Sequence, residues 1–369
     1  MIPVNEPLLD GNEKAYLAEC IDSGWISSEG PFVARFEREM AARCGRRHAV
    51  ALANGSVALD AAVQALGLGA GDEVILPSFT IISCAAAVVR AGATPVVVDS
   101  DPVTWNMDPA AVERAVTPRT RALMVVHIYG LPCDMGALLA IAQRHGLKLI
   151  EDAAEMHGQA WRGRPCGSFG DISTFSFYPN KHVTTGEGGM VLTDDDALAE
   201  RCRGLRNLCF GPPRRFVHQE LGHNWRMSNL QAALGCAQLE RLDLFVARKR
   251  AMGRRYDEQL AGVQGLQRLP ARMPDAENIW WVYGLVLDDD VPFDADEAMR
   301  RLAAAGVGTR PFFWPMHEQP VLRRLGLFGG LVLPVAERLA RRGFYVPSGL
   351  ALTEAQIDTV AAAVRELMS

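Results

Sequence analysis

Residues 122–154 read ALMVVHIYGLPCDMGALLAIAQRHGLKLIEDAA, and this stretch decides the fold class. It begins with an apolar run, continues with a segment of helical spacing that ends in a glycine, and finishes with a second apolar run. Unbroken apolar runs of this length are typical of strands that are buried on both faces of a parallel sheet. Strand, helix and strand in this order predict a βαβ unit.

The same alternation continues on both sides of this unit. Further apolar runs are EVILP at 73–77, TPVVVDS at 94–100, ISTFSFY at 172–178 and GMVLTDD at 189–195. From about Leu242 the pattern changes to a long polar helix, a strand-like WWVYGLVLD and two more helical segments. We therefore expect an α/β protein. Its large domain, residues 1–245, would have a mostly parallel mixed sheet, and a smaller α+β domain would span residues 246–369.

Composition argues against several classes of protein. A net charge of −5 over 369 residues gives no general attraction to nucleic acid or to anionic membranes. We expect no signal peptide and no membrane span, because no apolar stretch approaches the ~18 residues that a span needs. The eight cysteines form no CxxC pair, so we expect reduced thiols and a cytoplasmic location. Cys202 and Cys209 are too isolated from histidines in the sequence to suggest zinc, and we expect no metal.

Chemically active residues follow several of the predicted strands. Asp152 follows LKLI, His127 follows ALMVV, Ser78 follows EVILP, and Lys181 comes shortly after FSFY. Because ligands of open α/β sheets bind beyond the carboxyl ends of the strands, these side chains are expected at one functional edge.

Lys181 is also distinguished by how rare lysine is in this chain. Of 38 basic residues only four are lysine, at positions 14, 148, 181 and 249. The other three lie in charged or boundary segments where either cation is expected to serve, whereas Lys181 lies between an aromatic run and the glycine-rich GEGG. A buried lysine can lose its proton and act as a nucleophile, which arginine cannot do. Chance retention of a lysine is the alternative.

A lysine and an aspartate at neighbouring strand ends have two interpretations. One is a structural ion pair. The other is a pyridoxal phosphate site, in which the lysine forms a Schiff base and Asp152 keeps the ring nitrogen protonated. Such a site needs a phosphate-binding element, and NGSVALDAAVQAL at 54–66 opens a predicted helix with Gly55 and Ser56. The alternative for Ser56 is a simple helix N-cap.

Four long segments resemble the DegT/DnrJ/EryC1/StrS family of sugar aminotransferases, and most of all its perosamine-synthase-type members. They are EDAAEMHG, GSFGDISTFSFYPNKHVTTGEGGMVLTDD, LGHNWRMSNLQAALGCAQLERLD and RPFFWPMHEQP. The resemblance extends from DSGWISSEGPF, near residue 22, to SGLALTEAQID near the C-terminus. It implies the fold-type I aminotransferase architecture and a homodimer with composite active sites.

The resemblance implies a role for each matching residue. Lys181 would be the Schiff-base lysine that also moves the proton, and Asp152 the partner of the ring nitrogen. Glu155 would lie near the 3-hydroxyl of the cofactor, where relatives often have glutamine. Asn224 would reach the phosphate from the other subunit. The remaining implied residues are the phosphate ligands Gly55, Ser56 and Ser176, the loop residues Thr184, Glu187 and Gly188, and the substrate contacts Arg226, Trp314 and His317.

Two positions depart from patterns known in the family. Ile81 stands where many relatives have an aromatic residue over the pyridine ring, so stacking is expected to fall to Phe79 or to be replaced by an aliphatic contact. Some relatives replace the lysine with histidine and become sugar dehydratases. Lys181 is retained here, although His182 follows it, and this favours transamination.

The predicted reaction transfers an amino group from L-glutamate to a nucleotide-linked 4-keto-6-deoxy sugar in two half-reactions, with pyridoxamine phosphate formed in between. A different keto position, such as a 3-keto sugar, or a different carrier remains open. So does a regulatory or binding protein without catalysis, although such a protein has no need of Lys181. The basic run ARKRAMGRR at 247–255 is interpreted as a solvated helix face, and WRGRP at 161–165 as a hairpin.

Overall fold

The computed structural model describes residues 1–211, 214 and 216–369. Within these residues the helices are α1 (Glu13–Ser23), α2 (Pro31–Cys44), α3 (Gly55–Ala65), α4 (Ile82–Arg90), α5 (Pro109–Ala115), α6 (Met135–His145), α7 (Asp196–Arg206), α8 (Asn229–Leu239), α9 (Leu242–Gln259), α10 (Ala295–Ala304), α11 (Pro320–Arg324), α12 (Pro334–Arg342) and α13 (Glu354–Leu367). A short 3-10 helix covers Met316–Glu318. Among the described residues no helix combines the length and apolar character needed to cross a bilayer.

The strands follow the predicted apolar runs closely. They are β1 (His48–Leu52), β2 (Glu73–Pro77), β3 (Thr94–Val98), β4 (Thr120–Val126), β5 (Lys148–Asp152), β6 (Ala160–Trp161), β7 (Arg164–Pro165), β8 (Ile172–Ser176), β9 (Gly189–Thr193), β10 (Leu266–Arg268), β11 (Arg272–Met273), β12 (Ala276–Glu277), β13 (Tyr283–Leu287), β14 (Arg310–Pro311) and β15 (Gly343–Val346). The hairpin predicted for WRGRP is confirmed, because β6 and β7 pair across it.

A seven-stranded sheet confirms the predicted α/β class. Its order is β1-β9-β8-β5-β4-β2-β3. The strands from β8 to β3 pair in parallel, and β9 runs antiparallel to both of its neighbours, which makes the sheet mixed. The predicted βαβ unit is β4, α6 and β5, and its register places Val126 opposite Asp152. The carboxyl ends of β4 and β5 therefore meet at one edge of the sheet.

Helix α6 shows how local sequence determines the packing of this unit. The Asp134 side chain accepts a hydrogen bond from the Ala137 amide at 3.0 Å and caps the first turn, an interaction that contributes about 1 kcal/mol. The helix ends at Gly146, whose φ of 64° is unfavourable for other residues. Between these signals Leu138 and Ile141 are buried with the sheet in the main core, each stabilising the fold by roughly 1.5–3 kcal/mol.

A second, four-stranded sheet has the order β10-β13-β15-β14 and is antiparallel throughout. Helix α9 leads from the first sheet into this region and packs against α13. It runs through the predicted boundary between residues 245 and 246, so the division into domains 1–245 and 246–369 stays a prediction. The strand predicted in WWVYGLVLD is shorter than expected, because β13 begins at Tyr283 and the two tryptophans precede it.

The expectation that Lys249 lies in a charged segment where either cation would serve is wrong. Its side chain is buried, with 2% of the residue exposed, and it lies on the inner stripe of α9 together with Phe245, Met252 and Tyr256. The interpretation of ARKRAMGRR as a solvated face therefore holds for its flanking arginines and fails for Lys249.

Candidate active site

Three of the four predicted strand-end residues, His127, Asp152 and Lys181, line a cavity of about 760 Å³. Ser78 does not line it, because it is buried and its hydroxyl lies 2.8 Å from His317 Nδ1. Asp152 is the last residue of β5, Ser176 is the last residue of β8, and His127 directly follows β4. Lys181 reaches the same cavity through a turn in which its amide donates to the Tyr178 carbonyl at 2.9 Å. Residues of both sheets and of the helices and loops between the strands line this space, among them Gly55, Ser56, Ile81, Asp152, Glu155, Ser176, Lys181, Glu187, Trp281 and Tyr345.

The Lys181 amine lies between an acid and an aromatic ring. Its Nζ is 3.8 Å from Glu155 Oε1 and 3.9 Å from the centroid of the Trp281 ring. Burial lowers the pKa of the Lys181 amine, while the nearby Glu155 and Asp152 carboxylates oppose that shift. The amine is thus closer to its neutral, nucleophilic form than an exposed lysine would be.

Asp152 presents a buried carboxylate at the floor of the cavity. One oxygen accepts from the Ala154 amide at 3.0 Å and the other from the Cys84 thiol at 3.3 Å. Burial raises the pKa of Asp152, and the Ala154 amide, Cys84 and Lys181 lower it. Within the described residues no cationic side chain comes within ion-pair distance of this carboxylate. A protonated pyridine nitrogen would supply the missing positive charge, so the site fits pyridoxal phosphate here.

The start of α3 fits the phosphate of that cofactor. Asn54 is the N-cap and accepts from the Val57 amide at 3.0 Å, so the alternative in which Ser56 is only the N-cap is wrong. The first-turn amides of Gly55 and Ser56 have no partner within the helix and can bind an anion. A side chain at Gly55 would place its Cβ 2.7 Å from the Ser176 Cβ, so glycine is needed for this close approach.

Glu155 and the loop after the lysine form the side of the cavity. Glu155 is 7% exposed, and its Oε2 accepts from the Tyr129 amide at 2.7 Å. Burial raises the pKa of the Glu155 carboxyl. Thr184 Oγ1 donates to the Phe177 carbonyl at 2.9 Å and accepts from the Gly186 amide at 3.0 Å, which shapes the loop that brings Glu187 to the cavity. In the same loop a Cβ at Gly188 would lie 2.1 Å from Thr185 Oγ1.

The structure separates the two residues considered for ring stacking. Phe79 is fully buried in an aromatic cluster with Tyr129, Phe312 and Phe313, and it does not line the cavity. Ile81 is 44% exposed and does line it. The position that faces the cofactor space is therefore aliphatic. His182, next to the lysine, is turned into the core, where its Nδ1 lies 3.2 Å from the His157 carbonyl oxygen.

Asn224 and Arg226 lie outside this cavity. Asn224 pairs through its backbone with Asn207, and Arg226 donates to the Asn207 side chain at 2.6 Å. Arg226 lines a separate cavity of about 210 Å³, together with Arg203 and Arg206.

Trp314 and His317 also lie outside the main cavity. Trp314 is 46% exposed, and the Arg341 guanidinium lies over its ring. His317 is completely buried, 2.8 Å from Ser78 Oγ on one side and 3.0 Å from Glu337 on the other. Both ring nitrogens of His317 are therefore already occupied.

Several lining residues were not predicted from the sequence. Ser83 joins Ser56 through a hydroxyl–hydroxyl hydrogen bond of 2.7 Å. Cys84 does not line the cavity, but its thiol donates to the Asp152 carboxylate at 3.3 Å. Trp281 and Tyr345 come from the second sheet region, more than 90 residues beyond Lys181. The adjacent tryptophans in WWVYGLVLD could have indicated that Trp281 belongs to the site, but in the sequence they are interpreted as residues of a strand.

Two groups of side chains have the composition of metal ligands. They are His127, Glu151 and Cys166, and His317, Glu318 and Glu337. The Glu151 oxygens accept from the backbone amides of Gly167 at 2.6 Å and Phe169 at 2.8 Å. These carboxylate contacts anchor the loop before β8 and give the first group a structural role.

Comparisons with known proteins identify the family of this chain. The sequence model of the DegT/DnrJ/EryC1/StrS aminotransferase family matches residues 7–365 of this chain. A GDP-perosamine synthase of Caulobacter vibrioides is 44% identical over 367 residues, covering 100% of this chain and 98% of that protein. A GDP-perosamine synthase of Vibrio cholerae is 40% identical and covers 98% and 97%. The structure of S. venezuelae DesV superposes with a TM-score of 0.88 at 39% identity, covering 96% and 94%.

The family match spans nearly the whole chain, and the cavity carries the lysine, the aspartate and the phosphate-binding helix start that pyridoxal phosphate requires. The chain belongs to the DegT/DnrJ/EryC1/StrS aminotransferase family and is a pyridoxal phosphate-dependent sugar aminotransferase.

Proposed function

We propose that this enzyme moves the amino group of L-glutamate to carbon 4 of a GDP-linked 4-keto-6-deoxy sugar, in the cytoplasm and as a homodimer. The observation that carries the sugar assignment is the full-length similarity to GDP-perosamine synthases, which exceeds 40% identity for the Caulobacter protein. The cavity supports the reaction type, because it brings an amine of lowered pKa to a buried carboxylate and an anion-binding helix start.

Each residue of the cavity has a definite task in this proposal. Pyridoxal phosphate, when bound, supplies an electron sink for the carbon that gains or loses nitrogen. Asp152 holds the positive charge of the ring nitrogen, and Gly55, Ser56 and Ser176 hold the phosphate. Lys181 carries the cofactor and, once released from it, moves the proton as a general base. Glu155 and Ile81 line the same cavity, where Glu155 would lie near the 3-hydroxyl and Ile81 would offer an aliphatic contact to the ring.

Asn224 and Arg226 are assigned to the cavity of the partner subunit. Both lie away from the cavity of their own chain, and Arg226 is part of a group of three arginines around a small cavity. Such a group suits an anion, and the diphosphate of a nucleotide sugar is the anion that the reaction brings. The assignment of Trp314 and His317 to the sugar end stays a proposal. Trp314 is exposed, whereas His317 is buried and hydrogen-bonded through both ring nitrogens.

The first test is the visible absorbance of the purified protein before and after L-glutamate. We expect a yellow protein that bleaches with glutamate and regains its colour with a GDP-linked 4-keto-6-deoxy sugar. The product should carry nitrogen on carbon 4, which NMR of the isolated sugar determines. Recovery of colour with the corresponding 3-keto sugar alone would move the assignment to the 3-keto alternative. A colourless protein that gains no band from added pyridoxal phosphate would support a binding protein.

The composite site has its own test. Lys181→Ala and Asn224→Ala subunits should each be inactive, and an equal mixture should regain about a quarter of the wild-type activity because half of the dimers contain one intact site. Subunit exchange is verified by native mass spectrometry of differently tagged chains. Exchange without recovered activity would remove Asn224 from the partner's site.

A further inference from the structure

The indole of Trp281 contacts both the amine of Lys181 and the backbone that precedes it. Its ring centroid is 3.9 Å from Lys181 Nζ, and its Nε1 donates to the Asn180 carbonyl at 2.7 Å. The electron-rich face of a tryptophan ring attracts an ammonium group, and more strongly where water is excluded. Trp281 therefore offers a place where Lys181 can hold a proton without a hydrogen-bond acceptor.

The turn that presents Trp281 is strained. Trp280 has a φ of 45°, in the left-handed region that is unfavourable for a bulky residue. Its amide donates to the Asn278 side chain at 2.7 Å. The chain at Gly130 passes so close that a Cβ there would lie 2.6 Å from the amide nitrogens of Trp280 and Trp281. A strained turn of this kind persists only where its surroundings fix it.

Helix α9 holds this turn in place through contacts with Trp280 and Trp281. Lys249 Nζ donates to the Trp281 carbonyl at 2.7 Å and to the Ser348 carbonyl. One turn further along the helix, Gly253 leaves room for the Trp280 indole, since a Cβ there would lie 2.1 Å from its ring. The helix thus holds Trp281 by its carbonyl and Trp280 by its ring.

We propose that Lys249 is a positioning residue for the amino transfer. By binding the Trp281 carbonyl it keeps the indole over Lys181, so that the amine remains aligned when it takes up and returns the proton. The inference rests on the proposed role of Lys181 as the base. Lys249 itself touches neither Lys181 nor the cavity residues that hold the cofactor.

The test measures how fast added pyridoxal phosphate becomes linked to Lys181 in the cofactor-free full-length protein, as a function of pH. This rate depends on the neutral amine and on its alignment, and it is read from the visible band without turnover. In Lys249→Met the plateau rate should fall about tenfold, and the pH midpoint should move down by about half a unit as the ring loses contact with the ammonium. Glu155, Asp152 and Cys84 also face the Lys181 amine and stay the same in every variant.

Trp281→Leu should give the same downward shift of the midpoint, and adding Lys249→Met to it should change the rate by less than twofold, since both act through one contact. Lys148→Met, which removes an exposed lysine paired with Asp171, is the matched control and should behave as wild type. An unchanged profile in Trp281→Leu, or additive effects in the double variant, would overturn the proposal even if Lys249→Met does not fold. Turnover retained by Lys181→Ala would instead overturn the proposed function.

Discussion

Lys181 and Lys249 are both buried, yet their surroundings make them different. Lys181 faces a cavity and has two carboxylates nearby, whereas Lys249 lies in the core and donates to two backbone carbonyls. Burial lowers the pKa of both amines, for Lys249 to about 7. Burial alone therefore does not make a lysine reactive. Access to a ligand space and a nearby acid distinguish the lysine that can perform chemistry from the one that positions the chain.

The comparison also explains why neither position holds arginine. A neutral lysine amine has two N–H groups, and Lys249 finds two carbonyl oxygens for them. Arginine stays charged and brings five N–H groups, which this part of the core does not satisfy. At Lys181 the requirement is chemical, since only an amine can form a Schiff base. The same scarcity of lysine in the sequence therefore has two different physical causes.

The largest expected effect separates the two lysines by chemistry. Lys181→Ala and Lys181→Arg should each lower turnover at least about a thousandfold, because neither side chain can carry the cofactor or return the proton. The measurement is amino-sugar formation under saturating substrate. Lys148→Arg serves as the exposed control and should keep wild-type activity. If the turnover of Lys181→Arg were within tenfold of the wild-type value, the chemical requirement for an amine at Lys181 would be wrong.

The next effect concerns the acid near Lys181, for which Lys249 has no counterpart among the described residues. Asp152→Asn should slow both half-reactions by about a hundredfold or more, because a neutral amide stabilises the protonated ring nitrogen less. Stopped-flow absorbance follows each half-reaction separately. Asp290→Asn, at an exposed carboxylate, is the control. A normal rate in Asp152→Asn would remove the role assigned to that carboxylate.

A smaller effect appears in stability and should be confined to Lys249. Lys249→Met leaves the Trp281 and Ser348 carbonyls without their donor and should lower the free energy of unfolding by about 1–3 kcal/mol. Lys181→Met borders a cavity and should change it by less than about 1 kcal/mol. Urea unfolding of the cofactor-free proteins provides both values. If both variants lost the same free energy of unfolding, the core position of Lys249 would contribute no more to stability than the cavity position of Lys181.

The smallest effect is the pH dependence of that loss. The pKa of Lys249 is about 7 in the folded protein against 10.5 for the ordinary amine, so the unfolded chain binds more protons between these values. Its contribution therefore makes the wild type more stable as pH rises above 7. The cost of Lys249→Met should then grow by about 2 kcal/mol from pH 7 to pH 9. A cost that stays constant over this range would mean that Lys249 is charged in the fold.

Much of the sheet and of the active site could be predicted from local sequence. EVILP matches β2 from Glu73 to Pro77 without error, because a strand buried on both faces leaves an unbroken apolar run. The proximity of Asp152 and Lys181 followed from the rule that ligands bind beyond strand ends. The N-cap at Asn54 was not identified, since two neighbouring residues can both cap a helix and only backbone geometry selects one.

The burial of Lys249 could be predicted from the sequence, but its hydrogen-bond partners could not. Counting from Leu242 at helical spacing passes through Phe245, Val246, Lys249 and Tyr256, so the buried stripe of α9 contains Lys249. The arginines on both sides concealed this signal. Its two acceptors were beyond reach, because Trp281 and Ser348 are 32 and 99 residues away in the sequence.

The sequence by itself determined the fold class, the family, the cofactor and the lysine that binds it, because periodicity and long motifs are local properties. Tertiary structure alone decided which aromatic ring faces that lysine, why Phe79 is turned away from the cavity while Ile81 lines it, and what surrounds Lys249. The physical reason is that burial and hydrogen-bond partners arise from contacts between distant segments. A linear pattern specifies the face that a side chain occupies, and only packing specifies what it meets there.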